Sequence, residues 1–205
     1  MNAVLETPAT TPPPLRREPH VETLKWTCEK FEAVGESGAF DGLNVILVDG
    51  EILTMPIASP AHDRAITQVL IVLMAAFGKG YFPRVQSGLP LWRNTNLVPD
   101  FSMVAGSNRD FVGHPTSASL IVEVAVSSLT FDLGEKSNLY AKAGIADYWV
   151  IDVEASQLHV HREPVVDSAA LHGFRYASTQ VLNPADRIAP LAVPDSAILV
   201  GDLMP

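Results

Sequence analysis

Three side chains carry most of the chemistry that this sequence offers: Glu123, Asp100 and Lys136. Glu123 stands in Leu120-Ile121-Val122-Glu123-Val124-Ala125-Val126, an apolar run that reads as a central strand covered on both faces. A charged carboxylate there is costly unless it is paired, metal-bound or placed at an opening. Two readings fit it: a structural acid satisfied by an arginine or by backbone groups, or a functional one. Asp100 follows Pro99 and precedes Phe101-Ser102-Met103-Val104, so it opens a strand, where a side chain can face a cleft. Pro-Asp alone is also a common turn. Two carboxylates on neighbouring strands would suit a hard divalent cation, Mg²⁺ or Mn²⁺. Lys136 falls one turn into the helix expected after the Glu123 strand, where an ordinary lysine would be solvated. Asp132, Lys136 and Tyr140 are four apart and share one helix face. Such a cation polarises a phosphate and lowers the pKa of bound water. A nearby ammonium orients that water or offsets developing negative charge. The chemistry indicated is metal-assisted hydrolysis of a phosphodiester.

The elements that must position these groups are legible as runs and turns. Val21, Leu24, Cys28, Phe31 and Val34 recur at spacings of three and four, which predicts a first helix ended by Gly35 and Gly38. Val45-Ile46-Leu47-Val48 and Glu51-Ile52-Leu53-Thr54-Met55 flank Asp49-Gly50, a pair suited to a two-residue hairpin turn with positive φ at both positions. Ser59-Pro60 opens a second helix running to about Phe77, apolar nearly all round after Gln68 and so expected to be buried against a sheet. Residues 81–86, 89–92, 101–105 and 119–126 read as strands. A strong helix is expected over Asp132 to Ala143, with Asp132 and Glu135 as a capping box and Gly144 at its C-terminal end. Strands follow at 148–153 and 157–161, then a further hairpin and a proline-rich finish. The fold class expected is mixed α/β (α+β), a central mixed sheet flanked by helices.

Composition bounds the rest. The chain has 205 residues, a formal net charge of −9, 47% apolar and 18% charged residues. That length buries a sizeable core without disulfides, and a single cysteine excludes an intrachain disulfide and a cysteine-based zinc site. Five of the sixteen prolines fall in residues 1–19, which read as a disordered tail before a single domain over 20–205. No signal-like or membrane-spanning run is found, so a cytoplasmic protein is expected. The acidic balance argues against non-specific coating of nucleic acid, but not against local binding through a metal ion.

The motif series then acquires a likeness. Val98-Pro99-Asp100, Ile121 to Ser127, Asp132 to Lys136, Tyr140 to Ile145 and Asp147 to Asp152 together resemble the Uma-two family of restriction endonucleases, within the PD-(D/E)XK nuclease superfamily. Asp49-Gly50-Glu51, Ser59-Pro60-Ala61-His62 and Val85-Gln86 add to it, and the resemblance covers roughly residues 42–162. It implies a restriction-endonuclease-like core, Asp100 and Glu123 as ligands of Mg²⁺ or Mn²⁺, DNA as substrate and hydrolase activity. The superfamily's lysine lies two positions after the acid on the same strand. Here that position is Ala125, and the resemblance moves the lysine to Lys136. Relatives often carry glutamate where Ile46 stands, which leaves Glu51 as the nearest third carboxylate.

Other residues are weaker signals. His62, in the first turn of the second helix, could contact a substrate phosphate or simply be a capping residue. Gln86 could face the Asp100 cleft or make a structural hydrogen bond. His159 and His161 point the same way on a strand and lack a third ligand nearby in sequence. Lys79, Arg84 and Arg93, interleaved with Tyr81, Phe82 and Trp92, are a faint nucleic-acid signal. The leading reading is a Mg²⁺-dependent DNA endonuclease, acting as a homodimer if both strands are cut. The alternative is a nuclease fold with a decayed site that binds nucleic acid or protein.

Overall fold

The computed structural model describes residues 22–56 and 58–205. The proline-rich tail expected over residues 1–19 lies outside the described residues.

The chain builds a six-stranded mixed sheet and a smaller four-stranded antiparallel one. Helix α1 (Cys28–Glu36) starts at Thr27, whose side chain accepts from the Lys30 amide. It begins later than the apolar spacing predicts, because Leu24 is left exposed and only Phe31 is buried. Strands β1 (Asn44–Val48) and β2 (Glu51–Met55) form the expected hairpin, with Asp49 at φ 45° and Gly50 at φ 80°. Helix α2 (Pro60–Phe77) is capped by Ser59 and carries Pro60 in its first turn. Strands β3 (Tyr81–Val85), β4 (Leu89–Trp92), β5 (Thr95–Leu97) and β6 (Phe101–Ala105) follow. The small sheet runs β2-β1-β5-β4.

Strand β7 (Leu120–Ala125) is buried at every residue. It pairs antiparallel with β6 and parallel with β8 (Asp147–Asp152). A parallel pair needs a crossover connection. The crossover here is helical in three pieces: α3 (Leu129–Phe131), a π turn (Asp132–Lys136) and α4 (Ser137–Lys142). Strands β9 (Gln157–Val166) and β10 (Phe174–Leu182) complete the large sheet, ordered β10-β9-β8-β7-β6-β3. Strands β11 (Arg187–Ile188) and β12 (Ile198–Leu199) make a short separate pair.

Alternation along β7 divides the interior into two cores. Leu120, Val122 and Val124 join Ala65, Val69, Leu73 and Phe77 of α2. Ile121 and Ala125 join Leu139 and Tyr140 of α4, Tyr148 and Val150 of β8, and Ile46 of β1. Each fully buried large apolar side chain contributes roughly 1.5–3 kcal/mol. Helix α2 is not buried all round, since Ile71 and Met74 face solvent while the four-residue stripe Ala65, Val69, Leu73 and Phe77 packs inward.

The helix expected from Asp132 begins three residues earlier, and Asp132 is not its cap. Asp132 is buried inside the π turn, because its carboxylate is drawn to Lys136 and Ser128 rather than to free amides at a helix start. Gly144, at φ 73°, lies just beyond the helix end, as the sequence suggests.

Candidate active site

The alternation that splits the core also aims Glu123. With Ile121 and Ala125 it points to the α4 side of the large sheet, and it is wholly buried. Its two oxygens receive three donors. Tyr140 Oη donates to Oε1 at 2.8 Å, Lys136 Nζ lies 2.9 Å from Oε2, and the Asp100 amide reaches Oε2 at 3.3 Å. Burial drives the Glu123 pKa upward, with Asp100 and Asp132 adding to the rise and Lys136 opposing it. The Lys136 ammonium and the Asp100 amide, which can only donate, favour the ionised form at Oε2.

Asp100 sits where β6 begins, beside the centre of β7. Its Oδ2 accepts from the Val124 amide at 2.8 Å and lies 3.1 Å from His62 Nε2. Asp100 and Glu123 are thus laced by reciprocal hydrogen bonds, each carboxylate taking an amide of the other's strand end. The His62 pKa is raised, chiefly by the hydrogen bond to Asp100. Burial opposes that rise. His62 Nδ1 is buried and has no hydrogen-bond partner among the described residues.

Lys136 is only slightly exposed and reaches inward from the end of the π turn. Its Nζ lies 2.9 Å from Asp132 Oδ1 as well as from Glu123 Oε2. Burial would discharge the ammonium, but Glu123, Asp132 and Asp100 outweigh it and hold the pKa above that of free lysine. π turns often occur at functional sites, where the widened turn redirects a side chain. Here the wide turn brings both Asp132 and Lys136 to the sheet.

These groups meet at a cleft of about 100 Å³, lined in part by Asn44, Ser59, His62, Gln86, Asp100, Ser128 and Lys136. Asp100, Glu123 and Lys136 therefore converge, with His62 and Gln86 at the same opening. Gln86 lies just beyond β3, at φ 44°, and its amide donates to the Asp100 carbonyl. Glu51 does not join them. It lies at the turn end of β2, paired with Lys25 at 2.5 Å, whereas Met55 at the other end lines the cleft. Four residues of strand separate the two ends, roughly 13 Å. Ile46 lines the cleft as an apolar wall.

Two participants were missed as site residues in the sequence, Asp132 and Tyr140. Their four-residue spacing with Lys136 was the available signal. Asp147 supplies a useful contrast. Its buried carboxylate is taken up by Arg162, the Trp149 indole and the Leu191 amide, and it does not line the cleft that Asp100 faces.

A hard cation asks for oxygen donors, and the donor set fits one. Asp100 Oδ1 takes no hydrogen bond among the described residues, and Asp100 faces the cleft with Glu123 behind it. Among the described residues, no three or more His, Cys, Asp or Glu side chains form a ready-made metal cage. Water and substrate oxygens would have to complete the shell, as is usual for Mg²⁺. Among the described residues, His159 and His161 likewise gain no third ligand. Among the described residues, no helix is long and apolar enough to cross a membrane.

The mixed sheet thus carries Asp100 and Lys136 at one opening with the buried Glu123 behind them. A family model described as "Uma2: Putative restriction endonuclease" matches residues 29–200, and the chain belongs to that family. The structure is similar to the crystal structure of "a putative nuclease belonging to DUF820" from Anabaena variabilis. The TM-score is 0.64 at 14% identity, covering 86% of this chain and 96% of that one. At that identity the likeness establishes the fold. No curated protein matches the chain.

Proposed function

We propose that this nuclease-family chain is a divalent-metal-dependent DNA endonuclease acting in the cytoplasm. The observation that carries the reading is the Lys136 ammonium, 2.9 Å from Glu123 Oε2 beside Asp100 at a cleft. Asp100 and Glu123 would hold Mg²⁺ or Mn²⁺, which supplies a Lewis acid for the phosphate. Lys136, kept protonated by its carboxylates, offsets charge developing on the phosphate oxygens and orients the attacking water. His62 and the Val124 amide fix Asp100 by occupying Oδ2, which leaves Oδ1 without a hydrogen-bond partner among the described residues. The small sheet and the start of α2 wall the opening, and Ser59, Asn44 and Gln86 offer neutral hydrogen-bonding groups to the substrate backbone.

The test is plasmid nicking with and without Mg²⁺, beside Glu123→Ala. Nicking that needs the metal and disappears in Glu123→Ala supports the proposal. Metal-independent nicking, or a Glu123→Ala protein that cuts normally, overturns it. The decayed-site reading rests on Ala125 and Ile46 at positions where relatives carry charge. Nucleic-acid binding without cleavage under any divalent ion would favour it.

A further inference from the structure

Asp132 enters the reading above only as a partner of Lys136, yet it is the third carboxylate of the site. It is 1% exposed, and the protein grips it at three points. Lys136 Nζ lies 2.9 Å from Oδ1, Ser128 Oγ donates to Oδ2 at 2.5 Å, and Tyr148 Oη donates to its backbone carbonyl at 2.8 Å. Burying an ion pair is expensive, and an apolar pair would stabilise the fold as well. The pair is therefore explained better by charge than by packing.

The charges at the site can be counted. Asp100, Glu123 and Asp132 set three carboxylates against the one ammonium of Lys136, and a divalent cation offsets that excess. Without Asp132 the excess would shrink by one unit, and Glu123 would be the one remaining carboxylate in contact with the ammonium. Lys136 and the cation would then compete for Glu123 Oε2. We propose that Asp132 is a positioning residue, which retains the Lys136 ammonium when Glu123 turns to a divalent cation and sets the site charge that the cation neutralises. The inference rests on the metal-dependent reading of the site.

The test is a calorimetric titration of the full chain with Mn²⁺, comparing wild type, Asp132→Asn, Lys136→Met and the double variant. Removing one unit charge a few ångströms away should weaken Mn²⁺ binding about tenfold or more in Asp132→Asn. Lys136→Met should still bind. The double variant, whose net charge equals that of wild type, should recover to within about threefold of wild type, a coupling that the double-mutant cycle isolates. Unchanged affinity in a folded Asp132→Asn protein would make the residue structural and overturn the proposal. A loss that persists in the double variant would make Asp132 a direct ligand and also overturn it. If Asp132→Asn fails to fold, the double variant, which leaves neither member of the Asp132–Lys136 pair alone, still decides between recovery and loss. A wild-type chain that binds no Mn²⁺ ends the metal reading and this inference together. Failure to cut a given DNA touches only the proposed activity.

Discussion

The Tyr140 hydroxyl donates to Glu123 Oε1 at 2.8 Å, while Lys136, one turn earlier in the same helical crossover, engages the other oxygen. One helix therefore grips both oxygens of a fully buried acid. Tyr140 also packs on Tyr148, with ring centroids 4.9 Å apart. Tyr140→Phe would keep the ring contact and remove the donor. It should lower unfolding free energy by about 1–3 kcal/mol, the cost of a buried acceptor left short of a partner. Urea denaturation measures this, and an unchanged midpoint would show that the hydrogen bond adds nothing.

Loss of the ammonium should be felt in both stability and turnover. Lys136→Ala leaves Glu123 and Asp132 buried and uncompensated, at a cost of roughly 3–5 kcal/mol. Nicking by the protein that remains folded should fall on the order of 10²-fold or more, as when a transition-state donor is removed. Lys136→Arg should not rescue it, because a planar guanidinium does not replace a compact ammonium. Glu123→Gln should fold and cut poorly. A Glu123→Gln protein with wild-type activity would remove Glu123 from the mechanism.

His161 gives a pH dependence of definite sign. Burial, with a smaller contribution from His159, pushes its pKa down to about 4 from 6.5. Between those values the unfolded chain binds more protons than the folded one, so acid favours unfolding. Stability should fall as pH drops from about 6.5 to 4, by on the order of 3 kcal/mol, with no His161 contribution to the slope above that window. His161→Phe keeps an aromatic ring beside Tyr148 and Tyr176 and should flatten that slope. Thermal melts across the pH range check it. Equal slopes in both proteins would contradict the assignment.

Gly50 closes the hairpin that walls the cleft. Its φ is 80°, and a Cβ there would meet Lys25 Cβ at 2.7 Å and Trp26 backbone at 3.1 Å. Gly50→Ala should destabilise by more than about 1 kcal/mol, since strain and overlap add. Gly134→Ala, where a Cβ meets nothing within 4 Å, is the matched control and should be nearly neutral. Equal melting temperatures for the two variants would refute the contrast.

Much of the fold was legible because its signals are local. Asp49-Gly50, Ser59-Pro60 and the apolar run around Glu123 each specify a turn, a cap or a buried strand through nearby residues alone. Strand β5 was not legible, since Thr95-Asn96-Leu97 has no apolar alternation and is fixed by pairing with β1 and β4. That Asp100, Glu123 and Lys136 come together was readable from residue type, order and the family likeness. Asp132 was misread because acid at a helix start and acid paired inside a widened turn share one spacing. The choice between them depends on Glu123 being behind it, which is tertiary information. Glu51 failed for a similar reason, as closeness in sequence to Ile46 places it at the wrong end of a hairpin.

The π turn also makes this crossover sensitive to length rather than to composition. A π turn holds one residue more than an α-helical turn, so removing one residue between Asp132 and Lys136 would let it relax to an ordinary helical turn and rotate Asp132 relative to Lys136 and Tyr140. Repair by rotating the whole segment would instead unseat Leu139 and Ala141 from the core. Substitutions at open positions such as Gly134 leave that phase intact. A one-residue deletion or insertion there is therefore expected to disturb the site while leaving the sheet to fold.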